Sequence, residues 1–190
     1  MQAEPRTPLA APIMRGVHHL ALCTDDMKAT VDFYVDVLGM PLVHAMKVPP
    51  GLGTGPGNRG NPPYEEVRHY FFDMGNDSLL AFFEIPKGKE PAGNRNAIGG
   101  MQHCAFVVTA ARFREVEVRL KGRGIDYIGP IPQLPGLLGI YFYDPNGIRS
   151  RICVPTRGRR NAGGDPLRDA DQERGARRAV QPTGDHAAMD

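Results

Sequence analysis

Apolar residues recur along the first half of the chain in a strand-like and then a helical pattern. A short apolar strand covers 20–23, and the oxygen-bearing side chains of 24–26 suit the start of a helix. One helical face follows, with apolar residues at spacings of four, three and four: Met27, Val31, Tyr34 and Leu38. These spacings predict a helix that ends at Gly39.

Three further strands are predicted in this half. Residues 40–48 form a candidate strand, and 66–73 and 78–85 form a hairpin around the turn sequence MGND. Glycine and proline are dense in 49–65, which excludes regular structure there. We expect this loop to overhang a pocket as a lid, because long loops in compact domains are often functional.

The second half repeats the order of the first. The patterns predict a strand at 100–109, a helix at 110–121 and strands around 125–128, 138–143 and 148–154. Aligning HLALCT with HCAFVVT places His19 opposite His103 and Ala21 opposite Ala105, with each histidine opening the first strand of its half. The pattern therefore predicts an α+β fold of two βαβββ modules.

Composition limits the domain organisation and the partners. The 190 residues are 41% hydrophobic with a formal net charge of +2, which fits one globular domain of 15–155, with modules at about 15–86 and 99–155. Residues 1–14 and the charged tail 156–190 are predicted to be flexible. No apolar run is long enough for a membrane helix, and basic residues do not cluster. We expect a cytoplasmic protein that binds neither membrane nor nucleic acid.

Three cysteines give no sign of a metal or redox motif. Cys23, Cys104 and Cys153 lie within or at the ends of predicted strands and lack close CxxC spacing. They are predicted to be buried thiols in a reducing compartment.

Five segments carry a family resemblance: HHLAL, TVDFYVDVLGM, LLAFFEIP, GMQHCAFVV and YFYDPNGIRSRICV. Over residues 15–155 the chain resembles the vicinal oxygen chelate superfamily, which includes glyoxalase I, extradiol dioxygenases, and fosfomycin- and bleomycin-resistance proteins. The resemblance implies a curled mixed sheet that forms a cup, with helices on its outer face. It also implies a divalent metal in the cup, a small-molecule substrate that chelates it through neighbouring oxygens, and a homodimer.

The resemblance also selects metal ligands. It implies His19 and His103 as ligands of iron, manganese, zinc, nickel or cobalt, and His18 on the opposite face of its strand. The third ligand of the family is a glutamate of the last strand, and its position here is Arg151. The other recurring carboxylate position is Ala81. The third ligand is therefore missing, and both histidines have an alternative reading as hydrogen-bonded core residues.

A cation in this position opposes metal binding. A guanidinium about 4 Å from a divalent ion is repelled by roughly 8 kcal/mol at an effective dielectric constant near 20. The nearest alternative carboxylate, Glu84, lies three residues after Ala81 and should face the other side of the sheet.

Two arginines suggest anion binding instead. Arg149 and Arg151 share a strand face, while Ile148, Ile152 and Val154 share the other and suit packing against a helix. The arginines are predicted to bind a carboxylate or phosphate group of the substrate. Phe83, in the segment LLAFFEIP, is predicted to form a wall of the substrate pocket. The alternatives are a solvent-exposed rim position for Arg149 and a structural salt bridge for Arg151.

Candidate catalytic groups come from both modules. Tyr141 and Tyr143 share a face of the penultimate strand and are predicted to donate hydrogen bonds to an oxyanion, or else to be ordinary half-buried tyrosines. His69, with Glu66 as the other reserve polar group of its module, is predicted to be a proton shuttle or a replacement ligand, or else an exposed strand histidine.

Two functions remain open. The first is a metalloenzyme of the glyoxalase or dioxygenase type, which the resemblance favours. The alternative is a metal-free protein of the bleomycin-resistance type that binds a small molecule in a cationic cup, which Arg151 favours. The direction of the Arg151 side chain and its partner discriminate between them.

Overall fold

The computed structural model describes four stretches of the chain: 13–14, 16–52, 62–134 and 136–156. The two ends predicted to be flexible lie almost entirely outside these stretches, as does the middle of the predicted lid. In the stretches described, no helix has the length and apolar character needed to cross a membrane.

The chain forms two compact units. Unit 1 contains Met1–Val35 and Gly39–Glu90, and unit 2 contains Asp36–Leu38 and Pro91–Asp190. Each unit carries one four-stranded sheet with the same strand plan. The predicted α+β fold of two βαβββ modules is confirmed.

Unit 1 follows the predicted order of elements. They are β1 (His19–Thr24), α1 (Met27–Val31), a π-helical segment (Asp32–Val37), β2 (Leu42–Lys47), β3 (Arg68–Gly75) and β4 (Ser78–Glu84). The sheet order is β1-β4-β3-β2, with β1 parallel to β4 and the other pairs antiparallel. The Asp26 side chain caps α1 by accepting a hydrogen bond from the amide of Ala29 at 2.9 Å.

The helix of unit 1 covers one face of its sheet. The Tyr34 ring packs against Phe72 and Phe82, with ring centroids 5.5 and 5.2 Å away, and all three side chains are buried. Glu84 lies on this face, where it accepts a hydrogen bond from the amide of Met27 at 3.1 Å and pairs with Arg68. The carboxylate of β4 therefore holds the start of α1 to the sheet.

Unit 2 repeats this plan. Its elements are β5 (Cys104–Val107), α2 (Ala110–Gly122), β6 (Tyr127–Leu134), β7 (Leu137–Tyr143) and β8 (Arg149–Pro155). The sheet order is β5-β8-β7-β6, and β5 runs parallel to β8. The strand predicted around 125–128 was too short, because β6 continues to Leu134 through two register irregularities.

Burial distinguishes the two faces of the unit 2 sheet. From α2, Phe113, Val116 and Leu120 are buried, which confirms the apolar stripe predicted from their spacing. Ile148, Ile152 and Val154 are buried as well, at 2%, 2% and 5% exposure. This agrees with their predicted place on the helix side, and it leaves Arg149 and Arg151 on the face away from α2.

The three thiols are free, as predicted, but not all are buried. Cys153 is buried, Cys104 is half-buried and Cys23 is exposed. The prediction of a buried thiol was wrong for Cys23, because β1 lies at an edge of its sheet with that side chain on the face away from α1.

Candidate functional site

Three histidines gather on the face of the unit 1 sheet that lies away from α1. The strand register places His19, His44 and His69 on this face together with Phe71. The ring centroid of Phe71 is 6.0 Å from that of His19, 5.6 Å from that of His44 and 4.3 Å from that of His69. The face is aromatic, with imidazole nitrogens around one phenyl ring.

His69 is buried among aromatic rings. Its side chain is 9% exposed and stacks on Phe83 with ring centroids 3.6 Å apart. The alternative of an exposed strand histidine is therefore wrong. Burial, followed by the charges of His19 and His44, lowers the pKa of His69 to about 4. The ring is neutral at pH 7, and its buried Nε2 has no hydrogen-bond partner among the described residues.

His18 and His19 contact each other through their Nδ1 atoms, 2.8 Å apart. One ring donates and the other accepts, which leaves Nε2 of His19 as the nitrogen available to a ligand. The prediction that the two rings occupy opposite faces assumed a strand through both residues. Because β1 begins at His19, strand alternation does not constrain His18.

The unit 2 sheet presents a cationic face away from α2. On β8, Arg151 pairs with Ala105 of β5 and with Tyr141 of β7, while Arg149 pairs with Tyr143. All of these side chains point to the same side as Arg151, as predicted from strand alternation.

Arg151 is the first donor in a chain of two hydrogen bonds that runs through Tyr141 to Gln133. Its Nη1 donates to the hydroxyl of Tyr141 at 3.1 Å, and that hydroxyl donates in turn to Oε1 of Gln133. The guanidinium carbon lies 5.5 Å from the centre of the Tyr141 ring, within the range of a cation–π contact. The Tyr141 bond raises the pKa of Arg151 above its usual value. Tyr141 therefore positions the arginine, and its own proton is engaged by Gln133.

The charge of Arg151 has no acidic partner in the described stretches. Its Nε is buried and lacks a hydrogen-bond acceptor there. No ion pair within these stretches includes Arg151. The alternative of a structural salt bridge is therefore wrong for the part of the chain that the structure describes. A buried guanidinium donor without an acceptor is suited to an incoming anion.

Arg149 lies next to Arg151 on the same face. Its Nε donates to the hydroxyl of Tyr143 at 3.3 Å, and its guanidinium carbon is 5.9 Å from that ring's centre. Tyr143 is 56% exposed, so it is not the half-buried tyrosine of the alternative reading. This second pair repeats the arrangement of Arg151 and Tyr141 closer to solvent.

The histidine of unit 2, His103, is exposed. It precedes β5 by one residue instead of opening it, and its Nδ1 contacts the side chain of Gln102. Nothing in the described part of unit 2 places a carboxylate beside it. Its predicted role as a ligand stays a prediction.

The donor set does not fit the metal site that the resemblance implies. The two family carboxylate positions are Ala81, which pairs with Ala21, and Arg151, which pairs with Ala105. Glu84 lies on the other face, as predicted. In the described stretches, no group of three or more His, Cys, Asp and Glu side chains is placed to hold a metal ion.

Glu66 is also unavailable as a replacement ligand. It stands outside β3, where its carboxylate pairs with Lys47 at 2.7 Å. That hydrogen bond lowers the pKa of Glu66, so the carboxylate is committed to a surface ion pair.

Sequence reasoning missed two side chains on these faces, His44 and Gln133. His44 and Met46 alternate in β2, which could have placed His44 with His69 once the two strands were paired. Gln133 was missed because the strand predicted around 125–128 stops before it, whereas β6 includes it. Cys153 lies two residues from Arg151 on its face; burial raises the pKa of this thiol, and Arg151 opposes that rise.

Residues 16–152 match the family model described as Glyoxalase/Bleomycin resistance protein/Dioxygenase superfamily. The chain belongs to this superfamily. The match spans both units, in agreement with the strand plan of each and with the resemblance noted from the sequence. No curated protein matches the chain.

Solved structures share the superfamily fold. A glyoxalase family protein from Enterococcus faecalis is 21% identical, with a TM-score of 0.55, over 75% of this chain and 99% of that one. A glyoxalase/dioxygenase from Nostoc punctiforme is 25% identical, with a TM-score of 0.55, over 80% and 99%.

A third neighbour was solved with a metal. It is a mutant of the fosfomycin resistance protein FosX from Listeria monocytogenes, complexed with Mn(II) and 1S,2S-dihydroxypropylphosphonic acid. It is 18% identical, with a TM-score of 0.53, over 76% of this chain and 95% of that one. At these identities the likeness concerns the fold alone.

Proposed function

We propose that this superfamily member binds a small anionic molecule, without a metal, on the face of unit 2 that carries Arg149 and Arg151. The observation that supports the proposal is Arg151, whose guanidinium is tied to Tyr141 and has no carboxylate partner in the described stretches. A fixed cation of this kind recognises an anion at a small entropic cost, because its rotamer is already set.

The ligand head group is a carboxylate, phosphate or phosphonate. A guanidinium can donate two parallel hydrogen bonds to the oxygens of such a group. Arg149, two residues along the same face, supplies a second positive charge nearer solvent. The tyrosine rings beneath the two guanidiniums hold them by cation–π contacts and leave their free N–H donors for the anion.

Titration calorimetry of the full chain with methylphosphonate and inorganic phosphate tests this function. We expect Arg151→Gln to weaken binding by about tenfold or more, the range of a lost charge-assisted pair. Arg151→Lys should restore part of it, because the charge remains and the paired donors do not. Arg112→Gln, which changes an exposed arginine on α2, should leave affinity unchanged. Equal affinity in wild type and Arg151→Gln would refute the proposal.

The metalloenzyme remains the second candidate. Its support is the superfamily membership together with the Mn(II) complex of the FosX neighbour, and its proposed ligands are His19 and His103. Arg151 at the third ligand position is the observation against this candidate. Elemental analysis after anaerobic incubation with ferrous, manganous, zinc and nickel ions decides between the two candidates. Stoichiometric metal that is lost in a His19→Ala, His103→Ala double variant would favour the enzyme.

A further inference from the structure

Unit 2 contains a cavity on the opposite side of its sheet from the arginine face. The cavity has a volume of about 290 Å³ and lies between α2 and the strands. Ala110 and Phe113 of α2 form one wall, and Leu138 and Val154 form the wall across from them. These side chains are apolar, and the volume is close to the lower end of the roughly 300–1,000 Å³ typical of small-ligand pockets.

Two charged residues of α2 line the same cavity, and they differ in their partners. Glu117 receives hydrogen bonds from Lys121 and from the Tyr127 hydroxyl, both at 3.0 Å. Arg114 is exposed, and within the described stretches it takes part in no ion pair. Its neighbour Arg112, by contrast, pairs with Glu115. Arg114 thus lines an apolar cavity and has no ion-pair partner among the residues that the structure describes.

We propose that this cavity binds a small amphipathic monocarboxylate, such as a short alkyl or aryl carboxylate. Its apolar part fills the space between Phe113 and Leu138, and its carboxylate pairs with the guanidinium of Arg114. Burial of the apolar part provides the main favourable term, at roughly 25 cal/mol per Å² removed from water. The charge pair fixes the orientation and selects an acid over a neutral analogue.

The carboxylate of Glu117 narrows the ligand class. It lines the cavity together with Arg114, so a dianion such as a phosphate ester meets a like charge there. A single negative charge on a small apolar body is therefore the best match. This site lies away from Arg149 and Arg151 and does not depend on the proposed function.

Hexanoate and its neutral analogue hexanol test the proposal on the isotope-labelled full chain by NMR. We expect both to bind, with intermolecular NOEs to Phe113 and Leu138. Arg114→Gln should weaken hexanoate by about tenfold and leave hexanol unchanged. The matched variant Arg112→Gln removes an arginine of the same helix outside the cavity and should change neither. Leu138→Phe, which fills the apolar space, should weaken both.

Three results would overturn the proposal. One is the absence of NOEs to Phe113 and Leu138 with either probe. Another is hexanoate affinity that stays the same in Arg114→Gln. The third is hexanoate affinity that falls in Arg151→Gln and not in Arg114→Gln, which places the acid on the other face and supports the proposed function alone.

Discussion

Ala81 and Arg151 occupy equivalent positions in the two units. Ala81 of β4 pairs with Ala21 of the parallel strand β1, and Arg151 of β8 pairs with Ala105 of the parallel strand β5. In the family pattern, carboxylates occupy these two positions. This chain carries a methyl group and a guanidinium at these positions, which supports the proposal of a metal-free site.

Restoring one carboxylate should restore metal affinity. Arg151→Glu replaces a repelling charge by an attracting one, and we expect it to bind Mn(II) or Zn(II) at least about tenfold more tightly than wild type. Calorimetry with each ion measures this. Arg149→Glu makes the same charge change two residues away on the same face and serves as the matched control. An equal gain in both variants would mean that only net charge matters.

The hydroxyl of Tyr141 should matter more for ligand binding than for folding. Tyr141→Phe removes the acceptor of Arg151 and the link to Gln133, so the guanidinium loses its fixed position. We expect methylphosphonate affinity to fall several-fold, while the free energy of unfolding falls by about 1 kcal/mol. Tyr143→Phe, at the more exposed pair, should have the smaller effect on affinity. The reverse order would contradict the positioning role of Tyr141.

Acid should destabilise the protein through His69. The pKa of this residue is about 4 in the folded chain against 6.5 for an ordinary histidine, so between these values the unfolded chain binds a proton that the folded chain does not. The free energy of unfolding should therefore fall as pH drops from about 6.5 to about 4, by at most about 3 kcal/mol. Urea denaturation at several pH values measures the slope.

A variant without the buried imidazole isolates this effect. His69→Phe keeps an aromatic ring against Phe83 and removes the titrating group, so the pH dependence over this range should flatten. His103→Gln, which removes an exposed histidine, serves as the matched control. An unchanged slope in His69→Phe would assign the pH dependence to other groups.

Gly129 should tolerate no side chain. Its φ is +121°, and a Cβ there would lie 2.7 Å from the carbonyl oxygen of Gly139. Because this neighbour is backbone, we expect Gly129→Ala to cost about 2 kcal/mol or more of unfolding free energy. Gly122→Ala, in the last position of α2 with open space around it, should be neutral or stabilising by up to about 1 kcal/mol. Thermal unfolding of the pair compares the two.

Strand alternation was sufficient to predict which face Arg149 and Arg151 occupy, because it depends only on local geometry. It was not sufficient for the end of β6, because the residues after 128 include Pro130 and Pro132, which have no amide donor. In the structure, β6 is the edge strand of its sheet and pairs only with β7 among the described strands, and an edge is where a strand tolerates proline. The hydrogen bond from Tyr141 to Gln133 requires β6 to continue to Leu134. The sequence pattern therefore could not predict this bond.

The burial of His69 also depends on a contact with another strand, which the local sequence pattern does not predict. The sequence shows a histidine between apolar neighbours, but its enclosure requires Phe83 from β4 to stack on it across the register. The helix over 27–38 was predicted from spacing that α- and π-helical turns both satisfy in part. The structure ends the α-helical turns at Val31 and continues in a π-helical segment that keeps Phe33, Tyr34 and Val37 buried.

The parallel pairing of first and last strands bears on how the chain folds during synthesis. Within unit 1, β1 hydrogen-bonds to β4 alone among the described strands, so Ala21 stays unpaired until Ala81 has left the ribosome. In unit 2, Ala105 likewise stays unpaired until Arg151 has left the ribosome. Closing such long loops delays each sheet until its final strand arrives. A nascent chain stalled before either last strand therefore exposes an unpaired strand edge to chaperones or to neighbouring chains.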